Sequence, residues 1–306
     1  MITSPIWLPA TLLAAVFQPW RTAIQRRVSK DLSINAAGLV RYLYGLPFAL
    51  AMAAAYQWLI APAPFPSLGP WFPAYCIGGG LAQIVATNLL LMAFDQRNFV
   101  VGTAYSKTEA VQGALLSIAL LGEHLNPLSW LGIALGVAGV MILSAGGKRM
   151  ALAELIRALG QPGARFGIAS GFFFALTAIA IRSATVQVGT SDPIRAALIV
   201  LATTVALQTL MQGAFLVWRE RDQIGPVLRS WRVSGQVGLL SALGSACWFT
   251  GFATAPVALV RVVGQIEVAF TIAFGRFYLG EHVSRGEVAG LLLVTAGVVA
   301  ALAGTL

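Results

Sequence analysis

Four charged residues stand out within the long apolar runs of this 306-residue chain: Lys107, Glu109, Arg261 and Glu267. An ionisable group at bilayer depth costs about 3 kcal/mol or more to insert, so its presence there points to a role. Two carboxylates and two cations can do three things at that depth. They can hold the basic and acidic ends of one solute, they can carry a coupling proton, or they can pair with each other and lock helices together. Glu109 has Tyr105, Ser106, Gln112 and Gly113 at helical spacings, so these residues share one face, a polar strip mixed with small residues. Glu267 has Gly264 and Thr271 at the equivalent positions, with Phe270 and Phe274 beside them. Lys107 stands two positions from Glu109, about 200° round a regular helix. The two share a face only if the helix is irregular, so Lys107 is expected to meet a neighbouring helix. Arg261 and Gln265 are i, i+4 partners.

The substrate-binding candidates are therefore Glu109, Glu267, Lys107, Arg261, Tyr105 and Gln112, joined by Gln83, Asn88 and Trp248 as further polar or aromatic groups inside apolar segments. The opposing reading is a structural pair locking two helices, for example Arg261 with Glu109. Acid and base together beside aromatics suit a zwitterion such as an amino acid. No metal-ligand spacing, cofactor motif or Walker-type phosphate loop occurs, so the energy for any transport must come from a gradient or from the solute itself. The only histidines, His124 and His282, lie at loop edges, which argues against an intramembrane serine hydrolase.

These residues are carried by a chain that is 58% apolar and only 10% charged. A soluble domain carries about 25% charged residues, so lipid must be the solvent for most of this chain. The net charge of +9 does not indicate nucleic acid, because it is spread over short loops rather than one basic face. Ten apolar runs are long enough to cross a bilayer, near 5–25, 35–60, 70–93, 98–121, 127–146, 165–187, 193–218, 232–254, 256–279 and 285–305.

The string Leu-Gly-Glu-His occurs at Leu121–His124 and again at Leu279–His282, 158 residues apart, each followed by a glycine-spaced apolar stretch. At the same offset Glu109 falls on Glu267, Phe94 on Phe252 and Gly139 on Gly297. The chain thus reads as an all-α integral membrane protein of ten transmembrane helices in two five-helix repeats, 1–147 and 165–306. A connecting segment, 148–164, holds a short interfacial helix. The basic loops change sides between the two repeats, as inversion of the second repeat requires. Of the 20 basic residues, only Arg182 and Arg195 fall on the poorer side, with Lys107 and Arg261 inside segments. Basic loops stay cytoplasmic, which predicts both termini on the outer face. Glycines 132, 136 and 139, with Ala289, Gly290 and Gly297, predict close packing of the fifth and tenth segments.

Ten spans, two halves and the sequence LLGEHLNPLSWLGIALGVAGVMIL resemble the EamA-type transporters of the drug/metabolite transporter superfamily. In that family the fourth helix of each half often ends in Gly-Glu, matched by Gly122 and Glu123 and by Gly280 and Glu281. An acidic residue often stands in its middle, matched by Glu109 and Glu267. Arg with an aromatic residue is common early in the second helix, matched by Arg41 and Tyr42. The resemblance implies a secondary transporter of a bacterial-type inner membrane that moves a small organic metabolite, as exporter or exchanger, by alternating access around a central cavity. The alternatives are a solute channel or a non-transporting receptor. A proton is the candidate coupling ion, and the state expected is a monomer or weak dimer. One feature departs from the family, whose termini are usually drawn in the cytoplasm.

Overall fold

The computed structural model describes residues 4–28, 31–95, 105–144, 162–270, 273 and 285–304. Among the described residues the regular elements are helical, and the one extended pairing is an isolated bridge between Leu68 and Val188. The helices are α1 (Trp7–Val28), α2 (Ile34–Leu43), α3 (Leu46–Ala55), α4 (Phe72–Asp95), α5 (Glu109–Leu121), α6 (Pro127–Ser144), α7 (Pro162–Val186), α8 (Pro193–Arg219), α9 (Ile224–Arg229), α10 (Trp231–Thr254), α11 (Val257–Gly264) and α12 (Arg285–Ala303). Five stretches are long and apolar enough to cross a bilayer: 34–60, 72–93, 162–186, 193–219 and 231–254. Three shorter apolar helices accompany them, at 109–121, 127–142 and 288–303. Apolar helices with internally satisfied backbones are what lipid requires, and the chain is a multi-pass membrane protein. The connecting segment, the second Leu-Gly-Glu-His, Thr271 and Phe274 lie outside the described residues.

The chain forms two compact units, and neither is one sequence half. The first takes residues 1–84 and 177–255. In it α1 packs along α10, and α8 packs on α2, α3 and α10. The second span is broken at Tyr44–Gly45, between α2 and α3. Pro47 follows, and a proline supplies no N–H to continue the helical ladder. At the break α10 comes in backbone to backbone: a Cβ on Gly238 would stand 2.6 Å from the Gly45 nitrogen, so only glycine fits.

The second unit takes residues 85–176 and 256–306. Its frame is the α6–α12 pair, packed as the glycine spacing predicts. A Cβ on Gly132 would stand 2.6 Å from the Gly297 carbonyl oxygen, and one on Gly139 2.6 Å from that of Gly290. Small residues at helical spacing let the two backbones touch. α11 packs against α5, α6 and α12, which brings the fourth and ninth apolar runs together.

Candidate functional site

Neither of those two runs is a regular helix where its charges sit. The chain is helical at residues 105–106, turns at Lys107–Thr108, and resumes as α5 at Glu109. α11 ends at Gly264, the chain turns at Gln265–Ile266, and helix resumes at Glu267. Both breaks are closed by i→i+3 bonds: Thr108 N–H to Tyr105 C=O (3.2 Å), and Ile266 N–H to Val263 C=O (3.1 Å). At the repeat offset Lys107 corresponds to Gln265 and Thr108 to Ile266, so the breaks are equivalent. Each glutamate is the first residue of the resumed helix, where the helix dipole favours a negative charge.

Lys107 and Glu109 point different ways across the break, and the four charges pair crosswise. The Arg261 guanidinium lies 2.7 Å from Glu109 Oε1. The Lys107 ammonium contacts the Glu267 carboxylate. Arg261 also donates to the Phe174 carbonyl of α7 at 3.2 Å. Both pairs are largely withdrawn from solvent, and each ties the fourth run to the ninth. Gln265 is buried at the second break with its amide against Gly136, where a Cβ would push that amide aside. Neither of its amide atoms has a hydrogen-bond partner among the described residues. Such a buried amide costs about 1–3 kcal/mol unless something satisfies it.

Other members of the strip hold the break in place. Gln112 donates to Thr108 Oγ1 (2.8 Å) and to the Ile168 carbonyl (3.3 Å), while Thr108 donates to the Tyr105 carbonyl (2.6 Å). Tyr105 is buried against Ala164, Met141 and Ile168. Gly171 of α7 faces the break so closely that a Cβ there would stand 2.9 Å from the Ser106 carbonyl oxygen and 3.2 Å from the Glu109 nitrogen. Asn88 is half-buried in the part of α4 that belongs to this unit.

The Gly-Glu motif has a local role in its first copy. Gly122 ends α5 with φ of 65°, a left-handed conformation that glycine adopts at no steric cost. Glu123 then accepts the Val257 N–H at 3.1 Å, bracing the start of α11. Its counterpart Glu281 lies outside the described residues.

The two remaining candidates belong to the first unit. Gln83 is buried in α4, and its Oε1 accepts from Gln208 Nε2 at 2.7 Å. Trp248 of α10 stacks on Phe252 with ring centroids 5.8 Å apart, and its Nε1 donates to Gln18 Oε1 of α1 at 3.0 Å. Gln265, Gly171 and Gln208 are the polar or close-packed positions that sequence reasoning did not select. Of these, Gln265 had a signal, its i, i+4 relation to Arg261.

Apolar helices, five of them long enough to cross a bilayer, define the class of multi-pass membrane proteins. The model of the EamA-like transporter family matches residues 5–145 and again 161–303, and the chain belongs to that family. Members of this family are transporters rather than enzymes. A solved crystal structure of a protein resembles the chain with a TM-score of 0.70 and 17% identity, over 97% of this chain and 94% of the other. At that identity the likeness shows the fold alone. No curated protein sequence matches the chain significantly.

Proposed function

We propose that the chain is a secondary transporter that moves a small zwitterionic metabolite, of the amino-acid kind, out of the cell or in exchange, by alternating access. The reading places ten spans in a bacterial-type inner membrane, as two inverted five-helix repeats, 1–147 and 165–306, with both termini on the outer face. The observation that carries it is the crossed pairing of Arg261 with Glu109 and Lys107 with Glu267 at equivalent helix breaks. Discontinuous helices present backbone dipoles and charges at membrane depth, which is how many secondary transporters hold their solutes. A zwitterion entering there replaces one internal pair with two: its carboxylate takes a cation and its ammonium takes a carboxylate. Charge is conserved at each step, so the exchange avoids leaving a buried ion unpaired. The Gln265 amide supplies a further donor and acceptor for the solute. Glu109 or Glu267, released from its cation, is the group that would carry a coupling proton.

The test is a thermal-shift screen of the purified protein against amino acids and related metabolites, with Glu109→Gln in parallel. A ligand that binds the folded state raises its melting temperature by mass action. The reading expects a hit among zwitterions that the variant loses. A hit confined to uncharged solutes, or one unchanged in the variant, contradicts it. Non-saturable flux of the hit in liposomes would instead identify a channel.

A further inference from the structure

The long spans of the first unit meet the membrane surface with two different kinds of end. α8 runs for 27 residues, about 40 Å, so its ends lie at opposite surfaces of a bilayer. At its start the buried Arg195 donates to Gln57 and to the Ala61 carbonyl, which brings the 56–71 connection to that surface. Trp58 and Trp71 of that connection are exposed, and neither carries a stacked arginine among the described residues. Two exposed tryptophans also mark the far end: Trp218 at the close of the span 193–219, and Trp231 at the opening of the span 231–254. Here each ring carries its sequence neighbour. The Arg219 guanidinium lies 4.0 Å from the Trp218 ring centroid, and that of Arg232 lies 5.4 Å from the Trp231 centroid. Phe215 holds the Trp218 ring edge-on, with centroids 6.5 Å apart.

The connection between these pairs is pinned in place. Ile224 and Val227 of α9 pack into a core shared by α1, α2, α8 and α10, and the Tyr44 hydroxyl donates to the Val227 carbonyl at 3.0 Å. Four arginines of this stretch are exposed: Arg219, Arg221, Arg229 and Arg232. Its two carboxylates are used locally, Glu220 binding Ser33 and Asn35 and Asp222 accepting from Gln223. Arg221 turns back to the Val217 carbonyl at 2.7 Å, and Arg229 to that of Gly225 at 3.4 Å. Arg219 and Arg232 differ from these two, because among the described residues their only partners are the indole rings. A guanidinium held over an aromatic face keeps N–H groups free at its edge, and that edge matches a phosphate.

We propose that Trp218–Arg219 and Trp231–Arg232 are docking points for the headgroup phosphates of anionic phospholipid. The indoles take the boundary between headgroups and acyl chains, where amphipathic rings are favoured, and hold both guanidinium groups at phosphate level. An anionic lipid layer complements the net positive charge of residues 218–232, four arginines against two engaged carboxylates. The bare Trp58 and Trp71 give the opposite surface no such preference. The inference concerns the first unit alone and stands or falls independently of the zwitterion reading.

The experiment measures melting temperature for the full chain in nanodiscs of phosphatidylcholine, with and without added phosphatidylglycerol. Arg219→Gln/Arg232→Gln removes both stacked guanidinium groups. Arg221→Gln/Arg229→Gln removes the same charge from the same connection and leaves the stacked pairs intact. All four positions are exposed, so both doubles are expected to melt near wild type in phosphatidylcholine alone. The proposal expects phosphatidylglycerol to raise the wild-type melting temperature by about 2–4 °C, a rise lost in Arg219→Gln/Arg232→Gln and mostly kept in Arg221→Gln/Arg229→Gln. No rise, a rise that Arg219→Gln/Arg232→Gln leaves unchanged, or an equal loss in both doubles overturns it, the last by reducing the effect to diffuse attraction.

Discussion

The two compact units hold their buried polar groups in different ways. In the second, two carboxylates and two cations meet at paired helix breaks and neutralise each other. In the first, buried amides bond to one another between α4 and α8, Gln208 donating to Gln83, and the buried Arg195 bonds Gln57 and the Ala61 carbonyl. A neutral cluster suits a solute that carries both charges, because every internal contact has a like replacement. Sequence duplication has produced one backbone plan in which the breaks and the glutamates recur but the cations do not. Lys107 is answered by Gln265 at the repeat offset, and Arg261 by Thr103.

Substitutions can break or sharpen this contrast. The largest effect is expected from Arg261→Met, which strands Glu109 as a buried anion. Losing one partner of a buried pair costs about 3–5 kcal/mol, whereas Arg261→Met combined with Glu109→Gln should recover most of that loss. Denaturation of the two variants in detergent checks this, and equal losses would remove the pair from the account. Next in size is Gly171→Leu, which drives a side chain into the 106–109 break. Overpacking there should cost about 1–3 kcal/mol, and Gly171→Ala less, read as melting temperatures beside wild type. The smallest is Trp248→Phe in the first unit. It keeps an aromatic ring for Phe252 but removes the donor to Gln18, for a loss of about 0.5–1.5 kcal/mol. If Trp248→Phe proved as damaging as Arg261→Met, the units would not differ as described.

Much of the second unit was legible in the sequence. Apolar length gave the helices, glycine spacing gave the α6–α12 contact, and charges at membrane depth marked the fourth and ninth runs. Lys107 and Glu109 standing two apart sent Lys107 to a neighbouring helix, and Arg261 with Glu109 was one pairing the sequence offered, but nothing in it named Glu267 as the partner of Lys107. The breaks themselves were not legible, because neither Lys107–Thr108 nor Gln265–Ile266 contains a proline or glycine to announce one. Tertiary contacts hold the first break, namely Gly171 against its backbone and Gln112 across to Ile168. The break at Tyr44–Gly45 was easier to anticipate, since Pro47 stands beside it. The division into units was hidden for a different reason. Each unit joins segments from both sequence halves, and no periodicity records which distant helices will pack.

The central claim is that the crossed charges exchange partners with the solute rather than merely locking two helices. The direct measurement is counterflow of the solute found by the thermal-shift screen, in proteoliposomes carrying the neutralised doubles Glu109→Gln/Arg261→Gln and Lys107→Gln/Glu267→Gln. The account predicts that both doubles melt close to wild type while exchange falls at least about tenfold, the ratio that 1.4 kcal/mol of binding represents. Folded doubles that exchange solute at the wild-type rate would contradict it and leave the pairs as structural ties.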